Sequence, residues 1–214
     1  MRTIKVLNLY SGIGGNRKLW DNVQVTAVEN NIEIAQAYKT IFPQDIIIIE
    51  DAHEYLLKHF KEFDFIWSSP PCQSHSRCNH FLKGQGIYRF PSMKLYEEII
   101  FLKHFFKGLW VVENVEPYYK TLIEPQRIGR HCFWSNFDIK NIEVDYQIGT
   151  MNRNASKNSQ RKAIIIEAQI PELIDLHGLN ELNIKIKNKR QVLRNCVIPR
   201  LGLHIFQEAR KVMN

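Results

Sequence analysis

No stretch of this 214-residue sequence approaches the roughly 20 consecutive apolar residues that a membrane-spanning helix needs. The longest apolar runs, such as Ile46 to Ile49, suit buried strands instead. The opening MRTIKVLNLY has two basic residues but neither a long apolar segment nor a small-residue cleavage site. A secretory leader is therefore not expected, and the cytoplasm is the expected location, with no membrane partner. Cysteine is scarce: Cys72, Cys78, Cys132 and Cys196 form no C-x-x-C pair, which argues against a disulfide framework and a zinc ribbon. Cys72, His75, Cys78 and His80 come nearest to a metal cluster, but their spacing matches no common zinc pattern, so no metal is expected. Internal repeats and low-complexity tails are also missing, which excludes solenoid and linker-like architectures.

What is present is ordinary for a globular chain, with 44% hydrophobic and 24% charged residues. The length allows one sizeable core and a small appended lobe. The formal net charge is +7 and the pI about 9.2. Such a balance suits a polyanionic partner such as nucleic acid, and equally an ordinary basic enzyme; charge alone does not separate the two. The last third gathers Lys157, Arg161, Lys162, Lys185, Lys187, Lys189 and Arg190, interleaved with Asn and Ser that can bond phosphates and base edges.

The first two-thirds alternate short apolar runs with amphipathic ones. Strands are predicted over 4–9, 25–28, 45–49, 63–67 and 109–112, with helices over 31–41, 53–60 and 93–106. This alternation predicts an α/β fold, a mainly parallel sheet with helices on both faces. It weakens after about residue 125. Short β-like runs follow (HCFWSNFDI, IEVDYQI, KAIIIEA), then a short helix over 171–176 and a terminal helix over 201–212. The polar stretch 152–160 is either a mobile loop or a binding loop.

Three segments carry chemistry. The first is LNLYSGIGG, a strand running into a glycine-rich turn that lets backbone approach a ligand, although such a turn is often only a tight turn. Glu29 ends the second strand, where an acid can accept hydrogen bonds from ribose hydroxyls. Asp51 ends the third, where it either meets an adenine amino group or caps a helix. Together they point to an adenosine-containing cofactor. The second segment is SSPPCQS. Two prolines stiffen the loop after the fourth strand and hold the Cys72 thiol at the sheet's carboxyl edge, a place for a nucleophile rather than a core cysteine. The third is LWVVENVEP, which puts Glu113 at the end of a fifth strand, beside Cys72 if the two strands are neighbours. Cytosine C5 becomes nucleophilic once a thiolate adds at C6 and an acid protonates or hydrogen-bonds N3. By itself Glu113 could equally cap a helix or face solvent.

SGIGG, PPCQS and VVENV, in this order, resemble the signature motifs of the DNA (cytosine-5)-methyltransferase family. EPQRIGR resembles the family's Gln-x-Arg-x-Arg element, and RQVLRNCVIP its Arg-Gln-x-Gly-Asn-x-Val element. The resemblance implies a Rossmann-like, doubly wound class I methyltransferase domain (1–130 plus 190–214) with a minimal target-recognition lobe over 131–189. It implies S-adenosyl-L-methionine as methyl donor, S-adenosyl-L-homocysteine as product, and attack on a flipped cytosine in double-stranded DNA. Cys72 would be the nucleophile, with Glu113, Arg130 and Gln73 completing the catalytic set. Tyr10, Ser11, Gly12, Ile13, Gly14, Gly15, Glu29, Asn30, Asp51, Ala52, Pro71, Leu95, Asn195 and Val197 would line the cofactor site. The loop 74–91 would close over DNA, with Ser74, His75, Ser76 and Arg77 touching it. Arg127, Asn152, Arg153, Lys157, Arg161 and Lys162 would add further DNA contacts.

Two positions depart from the family pattern. Its first arginine falls on Ile128, with Arg127 as the substitute, and its Gly-Asn pair becomes Arg194-Asn195 with one residue inserted. The short lobe leaves three readings: a DNA enzyme of a restriction-modification system with a cognate restriction endonuclease, a tRNA enzyme of the same chemistry, or a DNA-binding subunit that needs a homodimer or partner chain. An amino-methyltransferase is disfavoured, because Cys72 stands where an aromatic would follow the Pro-Pro.

Overall fold

The computed structural model describes residues 2–144, 157, 166–180 and 186–213. Seven strands form one sheet in the order β3-β2-β1-β4-β5-β7-β6. They are β1 (Ile4–Leu9), β2 (Val23–Val28), β3 (Ile46–Ile48), β4 (Phe65–Ser68), β5 (Leu109–Val115), β6 (Gln126–Ile128) and β7 (His131–Ser135). Strands β1 to β5 pair in parallel, while β7 runs antiparallel to both β5 and β6. The mainly parallel α/β sheet expected from the alternation is what forms. The strand order reverses between β1 and β4, so the turns leaving these two strands face each other across the sheet's carboxyl edge, where doubly wound folds bind ligands.

Both faces of the sheet are buried, as parallel strands require. Because successive side chains point to opposite faces, Val6, Phe65, Trp67 and Val111 go to one side and Leu7, Ile66 and Val112 to the other. The first side packs on Tyr38 of α1 (Ile32–Ile41) and on Leu201, Ile205 and Phe206 of α7 (Pro199–Met213). The second packs on Leu56 of α2 (Ala52–His59) and on Leu95, Ile99 and Leu102 of α4 (Lys94–Phe105). Helices α1 and α2 begin where Asn31 and Asp51 accept hydrogen bonds from the Ile34 and Glu54 amides. The remaining helices are α3 (Asn79–Lys83), α5 (Ile166–Leu176) and α6 (Lys189–Asn195). No described helix is long and apolar enough to cross a membrane.

Most element ends shift from the sequence expectation by a few residues, β5 running on past Glu113 to Val115, and the departures are largest at three places. Residues 131–135 form an interior strand, and Phe137 and Ile139 join the core behind it, so this part of the expected recognition lobe belongs to the central sheet. Strand β6 has no signal in the sequence: its three residues pair with β7 across the Gly129-Arg130 turn, a contact that local periodicity does not reveal. The end of the β-like run KAIIIEA is helical, since Ile166 to Ala168 open α5. Helix propensity and periodicity compete there, and a triple isoleucine reads as strand.

Candidate active site

The turn after β1 is built for close backbone approach. Tyr10, Gly12 and Gly14 all have positive φ, at 51°, 54° and 78°. The two glycines take this conformation without a Cβ penalty. The Glu29 carboxylate fixes the turn: it accepts from the Gly12 amide at 3.1 Å and the Asn31 amide at 2.9 Å. A Cβ on Gly12 would meet nothing within 4 Å, so the turn opens on free space at the sheet edge. Gly15 is the opposite case: a Cβ there would lie 2.5 Å from the Val197 carbonyl oxygen and 2.8 Å from Cys196. The segment Cys196 to Val197, leaving α6, thus lies against the glycine turn.

Beneath this turn is a buried polar network. Glu98, fully buried on α4, accepts from the Tyr10 hydroxyl at 2.6 Å and from Ser68 at 2.6 Å, and lies 3.3 Å from His53 Nδ1. The Glu98 hydrogen bond holds the His53 imidazole above its ordinary pKa. Burial and the Glu98 charge push the Tyr10 phenol up. Asp51 caps α2 and also weighs on Tyr10, which keeps it near the same pocket. Asn30 is exposed beside Glu29, while Ala52 and Leu95 are buried in the core under the site.

The loop after β4 carries Cys72 to the same edge. Its position is set from β5, because the Asn114 side chain donates to the Pro70 carbonyl at 2.9 Å. The register Ser68↔Val112 puts Glu113 one residue further along the neighbouring strand. Cys72 is half-buried, and its thiol is pushed up to about 11 by burial first and then by the Glu113 carboxylate; the Arg130 guanidinium acts the other way. The ligand-free thiol is therefore protonated near neutral pH. Glu113 is 6% exposed and its Oε1 lies 2.7 Å from Nδ1 of His131, itself 3% exposed. Sequence reasoning missed His131, since only the β5–β7 pairing places it there.

The two arginine positions separate. Ile128 is buried in the core, and Arg127 is exposed, bridging Glu116 at 3.4 Å and Glu124. Arg130 is exposed on the β6–β7 turn, with Nη2 3.4 Å from the Arg194 carbonyl.

The loop 74–91 has a pinned base and an exposed tip. Ser74 accepts from the Ser92 amide at 3.2 Å and closes the loop's neck. His75, expected to touch DNA, is 1% exposed, and its Nδ1 lies 2.6 Å from the Tyr119 hydroxyl. Its ring pins the loop to the chain that follows β5, a contact reinforced by the Ser76↔Pro117 bridge. Burial lowers its pKa. Pro71, Gln73 and Arg77 are exposed and Ser76 half-buried. The tip displays Phe81, Tyr88 and Phe90 at 73%, 65% and 83% exposure, with Arg89 exposed between the last two, while Arg77 pairs with Glu116 at 3.5 Å at the base. Lys157 is exposed; Asn152, Arg153, Arg161 and Lys162 lie outside the described residues. No group of three or more His, Cys, Asp or Glu among the described residues is arranged to hold a metal.

The glycine turn, the acid that braces it and the thiol on one sheet edge go with an S-adenosylmethionine-dependent methyltransferase fold, and the open cradle at Gly12 fits that cofactor. A family model of the C-5 cytosine-specific DNA methylases matches residues 4–118, more than half of the chain, and the chain belongs to that family. A tRNA (cytosine(38)-C(5))-methyltransferase of Spodoptera frugiperda is 34% identical over 85 residues, 36% of this chain and 26% of that protein. The chain therefore matches about a quarter of that relative's length. Among solved structures, a methyltransferase of Entamoeba histolytica superposes over 100% of both chains with a TM-score of 0.55 at 11% identity, a likeness of fold.

Proposed function

We propose that the protein methylates C5 of a flipped cytosine in duplex DNA through a covalent bond from Cys72 to C6 of the base. The observation that supports this most is the placement of Cys72, on the loop leaving β4, beside Glu113, near the end of the neighbouring β5, with that loop tied to β5 by the Asn114–Pro70 hydrogen bond. The turn Tyr10 to Gly15, Glu29, Asp51, Pro71 and the segment Asn195 to Val197 would hold S-adenosylmethionine. That cofactor supplies an electrophilic methyl group.

The chain's own residues do the rest. The Cys72 thiol gives its proton to solvent and its sulfur forms a bond to C6 while Glu113 delivers a proton to N3, which turns C5 into an enamine carbon able to take the methyl. The C5 proton then leaves to solvent, the sulfur–C6 bond breaks, N3 returns its proton to Glu113, and the released thiolate takes a proton from solvent. Protonation of Glu113 serves both events. It provides the proton for N3, and it removes the anion that disfavours the Cys72 thiolate. Gln73 and Arg130 would steady the base, Arg130 also favouring the thiolate by its charge. The exposed aromatic and basic tip of the loop 74–91 supports contact with unstacked bases and phosphates. Residues outside the sheet between β7 and α6 would supply target recognition, in the setting of a restriction-modification pair or with a partner subunit.

A second reading has its own support: the curated relative acts on tRNA, so tRNA is the alternative substrate. Transfer of tritiated methyl from S-adenosylmethionine into duplex DNA and into tRNA, run in parallel, separates them. Incorporation into DNA that disappears in Cys72→Ala is the expected result. Incorporation into tRNA alone would assign the second reading, and none into either would overturn both.

A further inference from the structure

The catalytic carboxylate has a partner that the reading above does not use. His131 opens β7 opposite Val115, and its Nδ1 sits 2.7 Å from Glu113 Oε1. Both side chains are almost fully buried, at 3% and 6% exposure. The imidazole also lies against Phe133, with ring centroids 6.1 Å apart, so its orientation is held from the side. The position where the family element carries its first arginine is Ile128, which points into the core, and Arg130 stands exposed on the preceding turn.

We infer that His131 is the positioning residue for Glu113, a role that rests on the proposed function of Glu113. The Nδ1–H group donates to Oε1 and fixes the carboxyl plane, leaving the second oxygen for the pyrimidine. As N3 takes its proton from that second oxygen, negative charge develops on Glu113. The Nδ1–H bond already points at that charge, in a site shielded from water, so it stabilises the transition state more than the ground state. No proton is lost by His131 in this step; it stays on Nδ1 throughout.

Two substitutions separate positioning from packing. His131→Leu keeps the volume and removes the donor, while His131→Asn keeps an amide donor close to where Nδ1 sits. With the Tm of each variant confirming a folded chain, His131→Leu is expected to lower kcat for methyl transfer about 10²-fold with KM for S-adenosylmethionine unchanged. His131→Asn is expected to recover most of that loss. A loss under about threefold in His131→Leu, or equal losses in both variants, would overturn the inference. A second arm does not depend on turnover: proton NMR of the ligand-free chain should show a hydrogen-bonded His131 Nδ1–H signal that vanishes in Glu113→Leu. Its absence from the unsubstituted chain would overturn the pair itself. If that signal is present while the unsubstituted chain methylates neither DNA nor tRNA, the proposed function has failed and the buried pair has not.

Discussion

At the scale of single residues, the ionisation of Cys72 is the quantity most open to experiment. Burial and the Glu113 carboxylate both disfavour the thiolate, holding the thiol at about 11. Alkylation of Cys72 by iodoacetamide, followed by peptide mass spectrometry, should therefore keep accelerating with pH beyond 9, because the thiolate is the reactive form. In Glu113→Gln the midpoint should move down, since a raising charge is gone. A rate that levels off by pH 8 in the unsubstituted chain would contradict this picture. Gly12 offers a second test. Gly12→Val places a branched side chain in the open space of the turn and strains a φ of 54°, so S-adenosylmethionine binding by calorimetry should be lost while the far-UV spectrum is kept.

At the scale of elements, two contacts decide how the site is held. Asn114 joins β5 to the Pro70 carbonyl. Asn114→Ala should cost about 1–2 kcal/mol in urea unfolding and lower kcat more than it raises KM, because the loop bearing Cys72 is released. His177, following α5, donates from Nε2 to the Leu193 carbonyl at 2.9 Å and joins α5 to α6 behind Gly15. Burial lowers its imidazole from 6.5 to about 4. Between those values the unfolded chain binds the proton and the folded chain does not, so stability falls as pH drops from about 6.5 towards 4. Thermal melts over that range should show this limb, and His177→Gln, which keeps a donor, should flatten it.

The elements differ in how far the sequence announces them. Strands β1 to β5 and helices α1, α2 and α4 are legible because each carries its own period and its own stop signals, as in Ile4–Leu9 before SGIGG. Cys72 and Glu113 are legible for the same reason, since one lies on the loop that follows a recognisable strand and the other near the end of the next, which runs on to Val115. The β6–β7 hairpin is not, because three residues such as Gln126–Ile128 have no period, and only their partners define them. His131 stays hidden with it, and so do the buried roles of His75 and Glu98, whose contacts lie 44 and 30 residues or more away along the chain.

At the scale of the whole molecule, the antiparallel β7 packs between β5 and β6 and sets His131 beside Glu113, at the edge that the parallel strands already furnish with a glycine turn and a thiol. The segment between α6 and α7 then folds back on Gly15, so the glycine turn formed early in the chain is backed by Cys196 and Val197, far later in the sequence. Ligand binding should accordingly stabilise the entire fold: S-adenosylmethionine at 100 times its Kd adds about 2.7 kcal/mol to unfolding, visible as a raised Tm. The covalent bond from Cys72 to cytosine can be trapped. Duplex DNA carrying 5-fluorocytosine blocks the final loss from C5, so with S-adenosylmethionine present the chain should form an adduct that survives denaturation, with mass spectrometry placing the bond on Cys72 and Cys72→Ala forming none. An adduct that persists in Cys72→Ala, or methyl transfer to C5 without any adduct, would contradict it.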